Sequence, residues 1–184
     1  MATHTRHHRN TVTEAAVVDA LSRHVAEIAF GIVEVVRVVV EEPRCKVSVT
    51  TTQPGVPAAA VCIGKAGAVA RAVARDIGLE MVGIVTYSPD ITTYLSNAIS
   101  AHNVSPISVE VTDILSRKAR MVFDNEPSAA GPSQLARAIG AQGSNVRLAS
   151  GLTGWHLQLC SPDCVPGSYC NHQPRNSSTL PIAS

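Results

Sequence analysis

The feature that most constrains this chain is a repeat. Ile63-Gly64-x-x-Gly67-x-x-x-Arg71 recurs as Ile139-Gly140-x-x-Gly143-x-x-x-Arg147, and Gly78 and Gly154 follow at matching positions, each ahead of an apolar-alternating run. Both copies share one context: apolar helix, glycine pair, helix, glycine, strand. The copies lie farther apart than solenoid repeats, whose period is roughly 20–50 residues. Two copies of one small α+β domain therefore fit better than a repeat array.

The flanking periodicities complete each copy. Residues 14–30 predict a helix, because Val17, Val18, Leu21, Val25 and Ile28 fall on one face and Gly31 can stop it. Residues 32–41 and 45–52 predict strands around a turn at 42–44, with Lys46, Ser48 and Thr50 alternating with Val47 and Val49. An Ala-rich helical pattern over 56–77 breaks only at 64–67, a strand follows at 79–87, and Ser88-Pro89-Asp90 can cap a helix over 91–100. The second half predicts strands at 107–111 and 119–123, a helical stretch over 133–152 broken at 140–143, and a strand at 155–160. The expected layout is a flexible head (1–13), a first domain (14–103), a second domain (104–160) and a disordered tail (161–184) rich in Pro, Ser and Asn.

A glycine pair between two helices has a chemical use. Glycine permits the tight turn and lets another molecule approach the backbone closely. The first N–H groups of the following helix lack intrahelical partners, and with the helix dipole they form an anion site. Lys65 adds a cation to the first loop, whereas Ala141 and Gln142 leave the second neutral. Arg71 and Arg147 are placed to reach a phosphate or to flank a groove for bases. A single Gly-x-x-Gly is usually an ordinary turn; two in matching contexts favour a phosphate clamp.

Other chemistries find little support. A P-loop would need Gly and Ser or Thr where Ala59 and Ala66 stand. Neither a nucleophile elbow nor a His-Glu-x-x-His pair occurs. His4, His7 and His8 read as a solvent-exposed head, and His24, His102 and His156 have no evident partner in the sequence. Cys45 and Cys62 read as buried thiols; Cys160, Cys164 and Cys170, near His172, match no common zinc spacing and read as thiols of a loose tail. The expectation is thus no cofactor, no metal and no catalytic residue. No apolar run free of charges reaches the roughly 20 residues a bilayer span needs, so the chain reads as soluble and cytoplasmic without a membrane partner; it is also expected to be a monomer. The net charge of +1 and the 3% aromatic content argue against both a strongly basic nucleic-acid binder and aromatic base-stacking platforms. Trp155, opening a strand behind a glycine, reads as core.

At this point the residues resemble a family. Ala138-Ile139-Gly140-Ala141-Gln142-Gly143-Ser144-Asn145-Val146-Arg147-Leu148-Ala149-Ser150, followed by Leu152-Thr153-Gly154-Trp155, closely resembles the second KH domain of the NusA family. Glu27-Ile28-Ala29, Gly31-Ile32-Val33-Glu34, Glu42-Pro43-Arg44, Val61-Cys62-Ile63-Gly64 and the run 88–100 resemble the first. The resemblance implies two tandem type II KH domains, each a three-stranded sheet with helices on one face. It implies single-stranded RNA binding in transcription termination and antitermination, with nascent RNA and RNA polymerase as partners. Carried over by position, the RNA-binding residues are Gly64, Lys65, Ala66, Gly67 and Arg71 in the first clamp, and Gly140, Ala141, Gln142, Gly143, Asn145 and Arg147 in the second. Bacterial members carry a polymerase-binding domain and an S1 domain ahead of the KH pair. Their lack here implies a KH-only, archaeal-like chain or a fragment. Residues 14–100 hold seven Lys+Arg against nine Asp+Glu, and alanines crowd the first loop. Two alternatives share the fold: a KH pair that has become a protein-interaction module, and a KH protein of ribosome assembly.

Overall fold

A computed structural model of the chain describes residues 11–100, 104–127 and 131–165. Most of the expected head and tail, including His4, His7, His8, Cys170 and His172, lies outside them, as does His102. The chain divides into two compact units, Met1–Ile84 and Val85–Ser184.

The first unit opens with α1 (Glu14–His24), capped where the Thr13 hydroxyl accepts from the Ala16 N–H at 3.2 Å. Val17, Ala20 and Leu21, three and four residues apart, are buried. The predicted helix over 14–30 is two helices. Val25 takes an extended conformation (φ −125°, ψ 104°) that sends its branched side chain into the core, and α2 (Ala26–Ala29) resumes beyond it. β1 (Glu34–Glu41) and β2 (Arg44–Thr50) pair antiparallel with Val38 opposite Val47. After α3 (Ala58–Ile63) and α4 (Ala68–Asp76), β3 (Met81–Thr86) completes a sheet of order β1-β2-β3. Cys45, Val47 and Val49 of the middle strand join Leu21, Cys62, Val73 and Ile84 in one core. The polar half of β2 is not a wet face: Lys46 is 2% exposed and Ser48 0%.

The second unit repeats the plan. β4 (Ser108–Asp113) pairs antiparallel with β5 (Lys118–Val122), and β6 (His156–Cys160) lies parallel to β5 with Met121 opposite Leu159. The crossover carries α6 (Gln134–Ile139) and α7 (Ser144–Thr153). Phe123, Met121, Leu135, Leu148, Leu152, Leu157 and Leu159 are fully buried. α5 (Ile91–Ile99), grouped with the first domain on sequence, lies in this unit. It packs on α7, and its Tyr94 hydroxyl donates to the Leu152 carbonyl at 3.2 Å. Trp155 is half-buried, not core, and the described chain continues past β6 to Val165 with Ser161 buried. No helix among the described residues is long and apolar enough to cross a membrane.

Candidate nucleic-acid interface

Each glycine pair is a tight turn between two helices, built by the same rules. In the first unit the Gly64 N–H bonds to the Ala60 carbonyl at 2.8 Å, ending α3, and Gly64 adopts φ 72°, ψ 171°. That region is essentially reserved for glycine. A Cβ there would also collide with Val69 Cγ2. Lys65–Gly67 forms one 3-10 turn, closed by the Gly67 N–H on the Gly64 carbonyl at 3.0 Å, and Gly67 (φ 76°, ψ 16°) opens α4.

The second unit gives nearly the same angles. Gly140 has φ 75°, ψ 169° and Gly143 has φ 75°, ψ 14°, with the Gly143 N–H on the Gly140 carbonyl at 3.0 Å. Between the glycines, Ala66 (φ 50°) and Gln142 (φ 53°) are both left-handed, which costs an L-residue roughly 1–2 kcal/mol. A Cβ on Gly140 would meet Asn145, at 2.8 Å from its Cβ and 2.9 Å from its backbone nitrogen.

The arginines do something the sequence did not disclose. Arg71 turns back and donates from Nη1 to the Ala66 carbonyl at 2.6 Å. Arg147 makes the same bond to the Gln142 carbonyl. In both units, then, a guanidinium braces the carbonyl of the strained residue. Asn145 is also turned inward: 8% exposed, its Nδ2 donates to the Ala138 carbonyl at 2.8 Å and the Ile99 carbonyl at 2.9 Å. Sequence proximity could not have paired Asn145 with Ile99; only packing of α5 on α7 does so.

What remains outward at each loop is backbone with two exposed side chains. Lys65, Ala66, Ala141 and Gln142 are exposed, while Gly64, Gly67 and Gly140 are half-buried and Gly143 is buried. α4 and α7 begin on glycines, have no side-chain cap and carry no acidic residue in their first turns. Their leading N–H groups and dipoles favour an anion, and no carboxylate on the same turn competes for it. Ile63, 36% exposed, directly precedes the first loop, and half-buried Ile139 directly precedes the second.

The perturbed titratable groups lie elsewhere. Burial lowers Lys46 to about 7 and raises Cys45 to about 12; burial, with the charge of Glu27, raises Cys62 to about 11. Asp76 is held below the usual carboxylate range by Arg23, which donates to it at 2.8 Å, and by His24 at 3.3 Å, so His24 does have a partner. Asp90 and Asp113 are lowered by hydrogen bonds from Thr93 and Ser116 at the turns they cap. Among the described residues no group of His, Cys, Asp and Glu converges as a metal site. A cavity of about 570 Å³ beside Arg23 and Asp76 involves neither loop.

Comparison with known proteins assigns this architecture. The model of the NusA-like first KH domain matches residues 12–87, and that of the NusA-like second KH domain matches residues 91–164. The chain carries two NusA-like KH domains in tandem. The KH pair is 37% identical over 139 residues to the transcription termination/antitermination protein NusA of Mycobacterium tuberculosis (strain ATCC 25618 / H37Rv), covering 75% of this chain and 38% of that protein. It is 38% identical over 141 residues to the protein of that name from Thermus thermophilus, covering 76% of this chain and 34% of the relative. The Bacillus subtilis protein is 34% identical over 138 residues, with 74% and 34% covered. The chain thus spans between 34% and 38% of the length of these relatives. The crystal structure of APE1850 shares the fold, with a TM-score of 0.56 at 21% identity, covering 81% of this chain and 99% of that one. The second KH domain as matched begins at α5, in the unit where the structure places that helix.

Proposed function

We propose that this chain binds single-stranded RNA through its two Gly-x-x-Gly loops, as a NusA-like factor of transcription termination and antitermination. The observation that carries this reading is the pair of uncapped helix N-termini, each presented by a loop of the same unusual backbone angles. A sugar-phosphate backbone can approach such a loop closely, and KH loops of this kind clamp about four nucleotides. Gly64, Lys65, Ala66 and Gly67 form the first clamp; Gly140, Ala141, Gln142 and Gly143 form the second. Arg71, Arg147 and Asn145 shape the clamps from behind. The role is binding, not catalysis. The partners on this reading are the nascent transcript and RNA polymerase, in the cytoplasm, with the protein as a monomer.

The test is fluorescence anisotropy with a single-stranded RNA of about a dozen nucleotides, long enough for two clamps, across a salt series. The parent is compared with a variant carrying Ala66→Asp and Gln142→Asp. Asp tolerates left-handed backbone better than most residues, so the folds persist while both loops gain a negative charge. Binding that weakens with salt and is lost in the variant supports the clamps. A folded parent that binds no RNA at low salt overturns them and turns the search to protein partners.

A further inference from the structure

Beyond β6 the chain does not leave the second KH domain at once. Ser161 is buried, the Cys164 N–H bonds back to the Ser161 carbonyl at 3.2 Å, and Arg120 donates from Nη2 to the Cys164 carbonyl at 3.0 Å. The turn lies against the sheet face that carries Arg120, Val122 and Cys160. There Val122 and Cys160, both buried, form a small cluster separate from the main core, and Cys164 packs onto it. No disulfide joins the two cysteines. Cys160 is 0% exposed, whereas Cys164 is half-buried, with the Ser161 hydroxyl 3.4 Å from its sulfur. A tight turn, anchored on both sides, thus packs half-buried Cys164 onto the small cluster that holds the strand thiol four residues earlier.

We infer that Cys160 and Cys164 form a reversible disulfide latch closed by a hydroperoxide. The reachable Cys164 sulfur attacks the peroxide O–O bond, forming a sulfenic acid and releasing one water (or alcohol). The Cys160 thiol then attacks that sulfur, the S–S bond forms, and the sulfenic hydroxyl leaves as a second water with the thiol proton. The pair loses two electrons, which reduce the peroxide; a small thiol reverses the step. Closure clamps residues 161–164 on the outer face of the β5–β6 ladder. Cys45 and Cys62 stand apart from this chemistry: both are fully buried in the first core, where burial holds them as thiols.

The test uses the full chain with Cys170→Ser, which removes the cysteine outside the described residues. Folded protein is treated with a slight excess of hydrogen peroxide, then alkylated after denaturation and mapped by mass spectrometry. The expected peptide holds Cys160 and Cys164 unalkylated, lighter by the two thiol hydrogens and restored by dithiothreitol. Cys45 and Cys62 are alkylated as in the untreated sample. Cys164→Ser removes the lighter species. Closing so short a loop raises Tm by on the order of 5 °C. Recovery of the Cys160 and Cys164 peptide fully alkylated, carrying sulfinic acid, or linked between two chains overturns the latch.

Discussion

Gly64 and Gly140 adopt the same backbone angles within a few degrees, yet each leans on a different neighbour. Behind Gly64 stands half-buried Val69, with its Cβ and backbone nitrogen as well as a methyl facing the glycine. Behind Gly140 stands Asn145, buried and fixed by two carbonyls from separate helices. The first loop rests on apolar packing and the second on a polar pin. Glycine placement and an arginine brace suffice for the turn itself; what backs it and what it presents are free to differ. Lys65 makes the first loop cationic, and Ala141 and Gln142 leave the second neutral.

That contrast can be broken most directly at the glycines. Alanine at either site combines forbidden φ with a clash, each worth roughly 1–3 kcal/mol. Gly140→Ala is expected to cost about 3–4 kcal/mol, because its Cβ meets a backbone nitrogen and a pinned side chain. Gly64→Ala is expected to cost a similar amount, about 3–4 kcal/mol, because its Cβ meets the Val69 Cβ and backbone nitrogen at 2.9 and 3.0 Å, which no side-chain rotation relieves. Urea denaturation of both variants checks this; a much smaller loss at Gly64 would mean that apolar backing yields where the polar pin does not.

The sheets offer a second contrast, at the third residue of the strands β2 and β5. Lys46 is buried and pulled down to about 7, whereas Arg120 is half-buried and donates to a carbonyl. A lysine whose folded pKa is lowered leaves the native state binding fewer protons than the unfolded chain between about 7 and the ordinary lysine value. Stability therefore rises with pH across that window. Cys45 and Cys62, raised by burial, act oppositely once unfolded thiols ionise. Denaturation midpoints should thus climb from pH 7 to about 9, by on the order of 2 kcal/mol in stability, and then level or fall. Lys46→Met should remove the climb; a climb that survives would place its origin in another group.

Smaller effects sharpen the comparison of backings. Asn145→Ala leaves the Ile99 and Ala138 carbonyls without that donor and is expected to cost about 2 kcal/mol, against about 1 kcal/mol for Val69→Ala. A thermal melt of each variant decides it, and reversal of the order would remove the pin from the account. The smallest change concerns charge alone. Each phosphate neutralised on a single strand contributes about 0.7 to the slope of log K against log salt. Lys65→Gln should lower that slope by about this amount and Gln142→Lys should raise it by as much, read by the same anisotropy titration.

Much of this is legible in the sequence because glycine and apolar periodicity are local signals. The matching positions of Gly64 and Gly140, and of Gly78 and Gly154, give two turns of matching angles and two glycines at φ 73° just past or at a helix end. What escapes a sequence reading depends on partners distant in the chain. Val25 breaks a helix that its own pattern extends, because the core claims its side chain. Asn145 sits where a ligand contact is expected, but its amide is taken by α5, 46 residues away in sequence. The guanidiniums of Arg71 and Arg147 read as outward-facing, yet each satisfies a carbonyl that the turn itself exposes. Lys46 and Ser48 alternate like the wet side of a strand, but β2 is the middle strand and is buried along Cys45–Val49.

The two arginine braces also bear on how quickly a partner could be taken up. A loop whose carbonyl is already held has little freedom left to lose on contact, so no ordering step need precede docking. Capture is then paced by diffusion and orientation. Substitutions that weaken the grip should shorten the lifetime of the complex and leave its rate of formation nearly unchanged.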